Sequence, residues 1–133
     1  AIRRLSSTTG INAKTVATTS LYTVPTGNSF IPIRIIVRCT AFTSGGKTIN
    51  AQFSLGTNSP NFNNFQGASA FGNITFDAVD EFFNVVSDFD TGVPSGNTWY
   101  YIVTAGQVFT INITQASNAT TETWAVDLFG YLV

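Results

Sequence analysis

Thirteen consecutive residues, Phe30 to Phe42 (FIPIRIIVRCTAF), leave this chain few ways to fold. A run so rich in Ile, Val and Phe reads as a long β-strand. A half-buried strand sends alternate side chains to oil and to water. Its odd positions, Ile31, Ile33, Ile35, Val37, Cys39 and Ala41, form an apolar stripe that predicts the core face. Its even positions, Phe30, Pro32, Arg34, Ile36, Arg38, Thr40 and Phe42, are not those of a wet face. Two coverings fit that second face. One is the chain's own long loop or its N-terminal segment, lying over the arginine stems. The other is a neighbouring subunit with Arg34 and Arg38 paired across the contact, since interfaces enrich arginine and aromatics and deplete lysine. The subunit contact is the reading taken, ahead of any catalytic part for either arginine.

The closing run repeats the pattern. Trp124, Val126, Leu128, Gly130 and Leu132 share one face, and Ala125, Asp127, Phe129, Tyr131 and Val133 the other. A thin sandwich has one interior, so two strands with two apolar faces predict an obligate homo-oligomer. Its expected interface is Arg34, Ile36, Arg38, Phe42, Phe129 and Tyr131. Only 10% of residues are charged, against about 25% in a typical soluble domain, while 44% are hydrophobic. That excess also implies covered surface.

Between these runs, turn chemistry punctuates further strands. Thr15–Val24 ends at the turn Pro25-Thr26-Gly27-Asn28, where Pro presets φ and Gly accepts positive φ. Ser44-Gly45-Gly46 turns the chain into Thr48–Leu55, where Ile49, Ala51, Phe53 and Leu55 alternate with polar residues. Gly56–Ala70 reads as a long loop, Phe71–Phe76 as a strand, and Asp88–Gly96 as a loop. In Val79–Val86, Val79, Phe82, Phe83 and Val86 also fit helical spacing with Asp77 as a cap; the β-rich setting favours strand or irregular structure. Asn97–Thr104, Ala105-Gly106 and Gln107–Thr114 read as a hairpin, and Glu122–Val133 as the last strand. Residues 1–13 read as a polar N-terminal arm and residues 14–133 as one domain. About eight strands and no confident helix predict an all-β protein, an antiparallel β-sandwich of jelly-roll type.

Several functions are set aside on residue types. With no histidine, the usual triads, zinc sites and neutral-pH general base are missing. The single cysteine, Cys39, lies on the core stripe and reads as packing; it allows no internal disulfide. No glycine motif cradles phosphate, and no stretch approaches the length of a membrane span. The start lacks a signal-peptide core, and Ala1 is read as following a removed initiator Met, in a product made in a cytoplasm. All six basic residues fall within the first 47 positions and all seven acids from 77 onward. That asymmetry allows head-to-tail complementarity between copies, and is too weakly basic for nucleic-acid binding. Asp77, Asp80, Glu81, Asp88 and Asp90 read as solvated loop acids. A cation at Asp88 and Asp90, or a paired-carboxylate hydrolase, would need them to converge. Asn73, Asn112 and Asn118 begin glycosylation sequons at about the chance rate. Asn58, Asn61, Asn63, Asn64, Gln66, Phe62 and Phe65 combine amides and ring faces that fit either sugar or a neighbouring subunit.

The segments LYTVPTGNSFIPIRIIVR, FSLGTNSPNF and AVDLFGYLV resemble those of small jelly-roll virion proteins encoded by tailed bacteriophages. The resemblance covers most of residues 16–133. It implies a non-enzymatic cement or decoration subunit, without cofactor, metal or catalytic residues, that trimerises on the exterior of a phage head. Its partners would be its own copies and the major capsid protein, with neither nucleic acid nor membrane. An arm would grip the shell, which assigns that part to Ile2, Arg3, Arg4 and Leu5. The same resemblance extends to head- and tail-fibre domains that bind host glycans, so a carbohydrate-binding module is the alternative.

Overall fold

The computed structural model describes residues 2–57, 65, 76–86 and 102–133. Seven strands run through them, and no helix: β1 (Arg3–Asn12), β2 (Thr18–Thr23), β3 (Phe30–Thr43), β4 (Gln52–Thr57), β5 (Phe82–Val86), β6 (Val108–Gln115) and β7 (Thr121–Leu132). They form two antiparallel sheets, β1-β7-β3-β5 and β2-β6-β4, with the layout of a β-sandwich. The count is seven among the described residues, where the sequence predicts about eight. The expected strand Phe71–Phe76, Phe76 apart, lies outside those residues, as do positions 97–101 of the expected hairpin; Val103, in the remainder of its first half, forms an isolated bridge with Phe30.

The core is aromatic. Phe30 stands edge-on to Tyr22 and Phe109, with centroids 5.5 and 5.9 Å apart. Phe53 and Phe76 meet Trp124 in the same way at 5.4 and 5.5 Å. Edge-to-face pairs exploit the ring quadrupole and add to burial. Ile35, Val37, Leu55, Ile111, Ile113 and Leu128 fill the space between the rings. One ion pair is buried with them. Lys47 Nζ lies 2.8 Å from Glu122 Oε1, and Ser117 Oγ and Trp124 Nε1 donate to the same carboxylate.

Two irregularities in β3 correct the predicted stripe. Its register with β7 shifts between Pro32 and Arg34, and again between Cys39 and Ala41. A bulge adds one residue to a strand and so reverses which face the following side chains take. Before the first shift the buried residues are Phe30 and Pro32, while Ile31 and Ile33 are half-buried. After it Ile35, Val37 and Cys39 are buried, as their spacing predicts. Proline brings no N–H to the ladder, a local reason for the first break. The second shift leaves Ala41 half-buried and turns Phe42 inward to pack against the core, with Lys47 Nζ 5.3 Å from its ring.

Residues 1–13, expected as an arm, supply an edge strand instead. Arg3 to Asn12 form β1, paired with β7 from Arg3↔Gly130 to Asn12↔Thr123. One flank of an edge strand stays wet, so RRLSSTTGIN needs little oil. Ile11 is its one buried residue, and Leu5 packs partly against the core. Val79–Val86 resolves into a turn and then β5, without a helix. Thr48–Leu55 starts later than expected, at Gln52, and Ile49 is exposed.

Candidate functional site

Cross-strand partners in a sheet share a face, so register shows what the outer side of β1-β7-β3-β5 carries. One row is Arg4 on β1, Phe129 on β7 and Arg34 on β3. The next is Ser7, Asp127, Ile36 and Asn84; a third is Ala125, Arg38 and Phe82. Ile31 and Tyr131 are paired beyond the first row. Arg4 and Arg34 are exposed, Ile36, Phe129 and Tyr131 half-buried, and Phe82 is 66% exposed.

The charges on this face are unbalanced. Asp127 is held from both sides: Ser7 Oγ donates to one oxygen at 2.5 Å, and Arg38 Nε lies 3.1 Å from the other. Arg38 therefore finds its carboxylate within its own sheet. Arg4 and Arg34 make no hydrogen bond or ion pair among the described residues. Among the described residues this face carries three guanidiniums, Arg4, Arg34 and Arg38, and one carboxylate, Asp127, set among Phe82, Ile36, Phe129 and Tyr131. Arginine with aromatic rings is the composition of a protein interface core.

Of the six predicted interface residues, five share this face: Arg34, Ile36, Arg38, Phe129 and Tyr131. Phe42 does not, because the second bulge in β3 turns it toward the core. Of the predicted arm residues, Ile2, Arg3 and Arg4 are exposed, and Leu5 packs inward. Sequence reasoning missed the part of Arg4 in the row with Phe129 and Arg34. It also missed Phe82, whose signal was an aromatic at a strand start beside a second aromatic.

Chemistry on other residues is sparse. Burial, then the nearby Glu122 carboxylate, pushes the Cys39 thiol up from its ordinary value, which disfavours a reactive thiolate. Among the described residues no group of three or more His, Cys, Asp or Glu is placed to hold a metal ion. A groove of about 250 Å³ runs between β1 and β2, lined by Thr9, Asn12, Thr15, Thr19 and Ile113 among others, with no ring and no charge. The expected sugar-binding set, Phe65 apart, and Asp88 and Asp90 lie outside the described residues. Phe65 packs on Phe109 at 5.5 Å, which commits its ring to the core. No helix among the described residues is long and apolar enough to cross a membrane.

No family model matches the chain, and no curated protein does. The fold is similar to a chain of a solved structure, the cyanophage Pam1 capsid asymmetric unit, with a TM-score of 0.56. The likeness covers 98% of this chain and 84% of that one at 11% sequence identity. At that identity it shows the fold alone: an antiparallel, all-β architecture shared with a chain from a phage capsid.

Proposed function

We propose that the chain is a non-enzymatic structural subunit of a phage virion, a cement or decoration protein that trimerises on the outside of the head. One observation carries the association of copies: the outer face of β1-β7-β3-β5 holds arginines without a partner among the described residues, set among half-covered rings, and two independent strands contribute them. The likeness to a capsid chain supplies the setting. Cementing needs broad dry contacts and no catalytic group, so the absence of histidine costs the function nothing.

The jelly-roll form of the sandwich belongs to the same proposal. β1 pairs with β7, β2 with β6 and β3 with β5, with β4 at the middle of the series. Outer strands pair with outer and inner with inner, as when one long hairpin is rolled into two sheets. Within the proposal, Arg34, Ile36, Arg38, Phe129 and Tyr131 meet a neighbouring copy, and Arg4 joins them. Ile2 and Arg3 remain as contacts to the major capsid protein.

The test has two parts. Light scattering measures the mass in solution, with a trimer expected. Co-sedimentation with heads assembled from the major capsid protein measures shell binding, which Ile2→Ser with Arg3→Ser should weaken by about ten-fold. A monomer that ignores the heads sinks the proposal. Binding to a glycan array without binding to heads would instead favour the carbohydrate-recognition reading.

A further inference from the structure

The separation of charge along the sequence acquires a spatial meaning once the intrachain pairs are removed. Arg38 is spent on Asp127 and Lys47 on Glu122, and Lys14 Nζ donates to the Thr120 carbonyl. Arg3, Arg4 and Arg34 remain without a partner among the described residues, as do the carboxylates of Asp77 and Asp80. Both sets are exposed.

Asp77 and Asp80 sit on a rigid turn. The Glu81 carboxylate accepts the backbone N–H groups of Asp77 and Ala78. Asp80 holds φ at 73°, and its N–H donates to the Cys39 carbonyl at 2.9 Å. Cys39 N–H in turn donates to Glu81 O, which ties the C-terminal end of the turn to β3, and Lys47 Nζ donates to the Phe76 carbonyl at its other end. At the tip Val79 is 46% exposed between the two aspartates. The turn is therefore a fixed apolar knob between two negative charges. The row Arg4–Phe129–Arg34 is the inverse, an aromatic ring between two positive charges.

These two features cannot meet within one chain. The turn is level with Cys39, five residues along β3 from Arg34, which is about 17 Å at roughly 3.4 Å per residue. We infer that the Asp77–Asp80 turn of a second copy seats on the Arg4–Phe129–Arg34 row, with Val79 against the Phe129 ring and the aspartates against the arginines. Such a contact joins two different patches of the same molecule, the arrangement that builds rings. It rests on the proposal that copies associate, and adds which surface of the neighbour is used.

Charge reversal tests it. Arg4→Glu with Arg34→Glu turns +2 into −2 on the row. Asp77→Lys, Ala78→Lys and Asp80→Asn turn −2 into +2 on the turn, with Asn at 80 because it tolerates positive φ. Sedimentation velocity should show each variant associating about ten-fold or more weakly than the native chain, and a chain carrying both sets of substitutions regaining association. Melting curves confirm that all three variants fold. Raising salt from about 50 to about 500 mM should weaken the native assembly, because the pairs lie at an exposed rim.

An assembly that ignores both sets of substitutions, a folded chain with both sets that fails to associate, or an absence of salt dependence overturns this contact and leaves the proposed virion role standing. A native chain that is monomeric at every concentration overturns both.

Discussion

Glu122 shows how one side chain can be legible in type and illegible in role. It stands on the same face of β7 as Trp124 and Val126, an acid on an oily stripe. That position was the only hint of burial, because its partner Lys47 is 75 residues away and only the fold brings them together. Lys47→Met leaves a buried carboxylate with neutral donors alone, and urea unfolding should show a loss of about 3–5 kcal/mol. Adding Glu122→Leu to that variant should recover a good part of the loss, since replacing both charges removes the stranded one. At Gly130 an added Cβ would clash with the Ile31 carbonyl oxygen and the edge of the Phe30 ring. Gly130→Ala should therefore cost about 1–3 kcal/mol, read from the shift of the thermal midpoint. Cys39 gives a pH prediction with a definite sign. Its folded pKa lies above the unfolded one, so its neutral form is favoured in the native state. That contribution is whole below the unfolded thiol pKa and is lost as pH rises through the folded value. Stability should accordingly decline in the alkaline range, and Cys39→Ala should flatten part of that decline. The native thiol should react with a disulfide reagent far more slowly than the unfolded one.

At the scale of elements, composition and turns located most of the strands. Phe30–Phe42, Gln107–Thr114 and Glu122–Val133 lie within a few residues of β3, β6 and β7, because alternation and Gly- or Pro-marked turns are local signals. What escaped was parity. Two bulges in β3 exchange its faces twice, which is why Ile31 and Ile33 are half-buried and Phe42 turns toward the core. Pro32 is a local hint of the first bulge, but where a register slips also depends on what the partner strand does, and nothing in β3 alone marks the second. β1 escaped for a related reason: a polar edge strand is defined by its neighbour β7 and not by its own oil. The consequence is measurable. Deleting residues 1–9 would strip most of β1 from β7 and remove the Ser7 hydroxyl from Asp127. The deletion should lower the midpoint of urea unfolding, whereas Ile2→Ser with Arg3→Ser should leave it within about 0.5 kcal/mol of native.

At the scale of the whole molecule, five of the six predicted interface residues share one sheet face, and that much was readable from two-faced strands. The row with Arg4 was not, since it draws on both ends of the chain through a register that sequence spacing does not encode. β7 lies between β1 and β3 at the centre of its sheet, so a chain cut after Thr120 should show no cooperative unfolding transition by circular dichroism. Pairing over such separations closes large loops before it is rewarded, and refolding should take about milliseconds to seconds. The surface built around Phe129 carries a further implication for the order of events in the cell. Until β7 is paired between β1 and β3, Arg4 and Arg34 have no ring between them, and the proposed seat for a neighbour's turn does not exist. If copies associate as proposed, folding of β7 into its sheet comes first and assembly second.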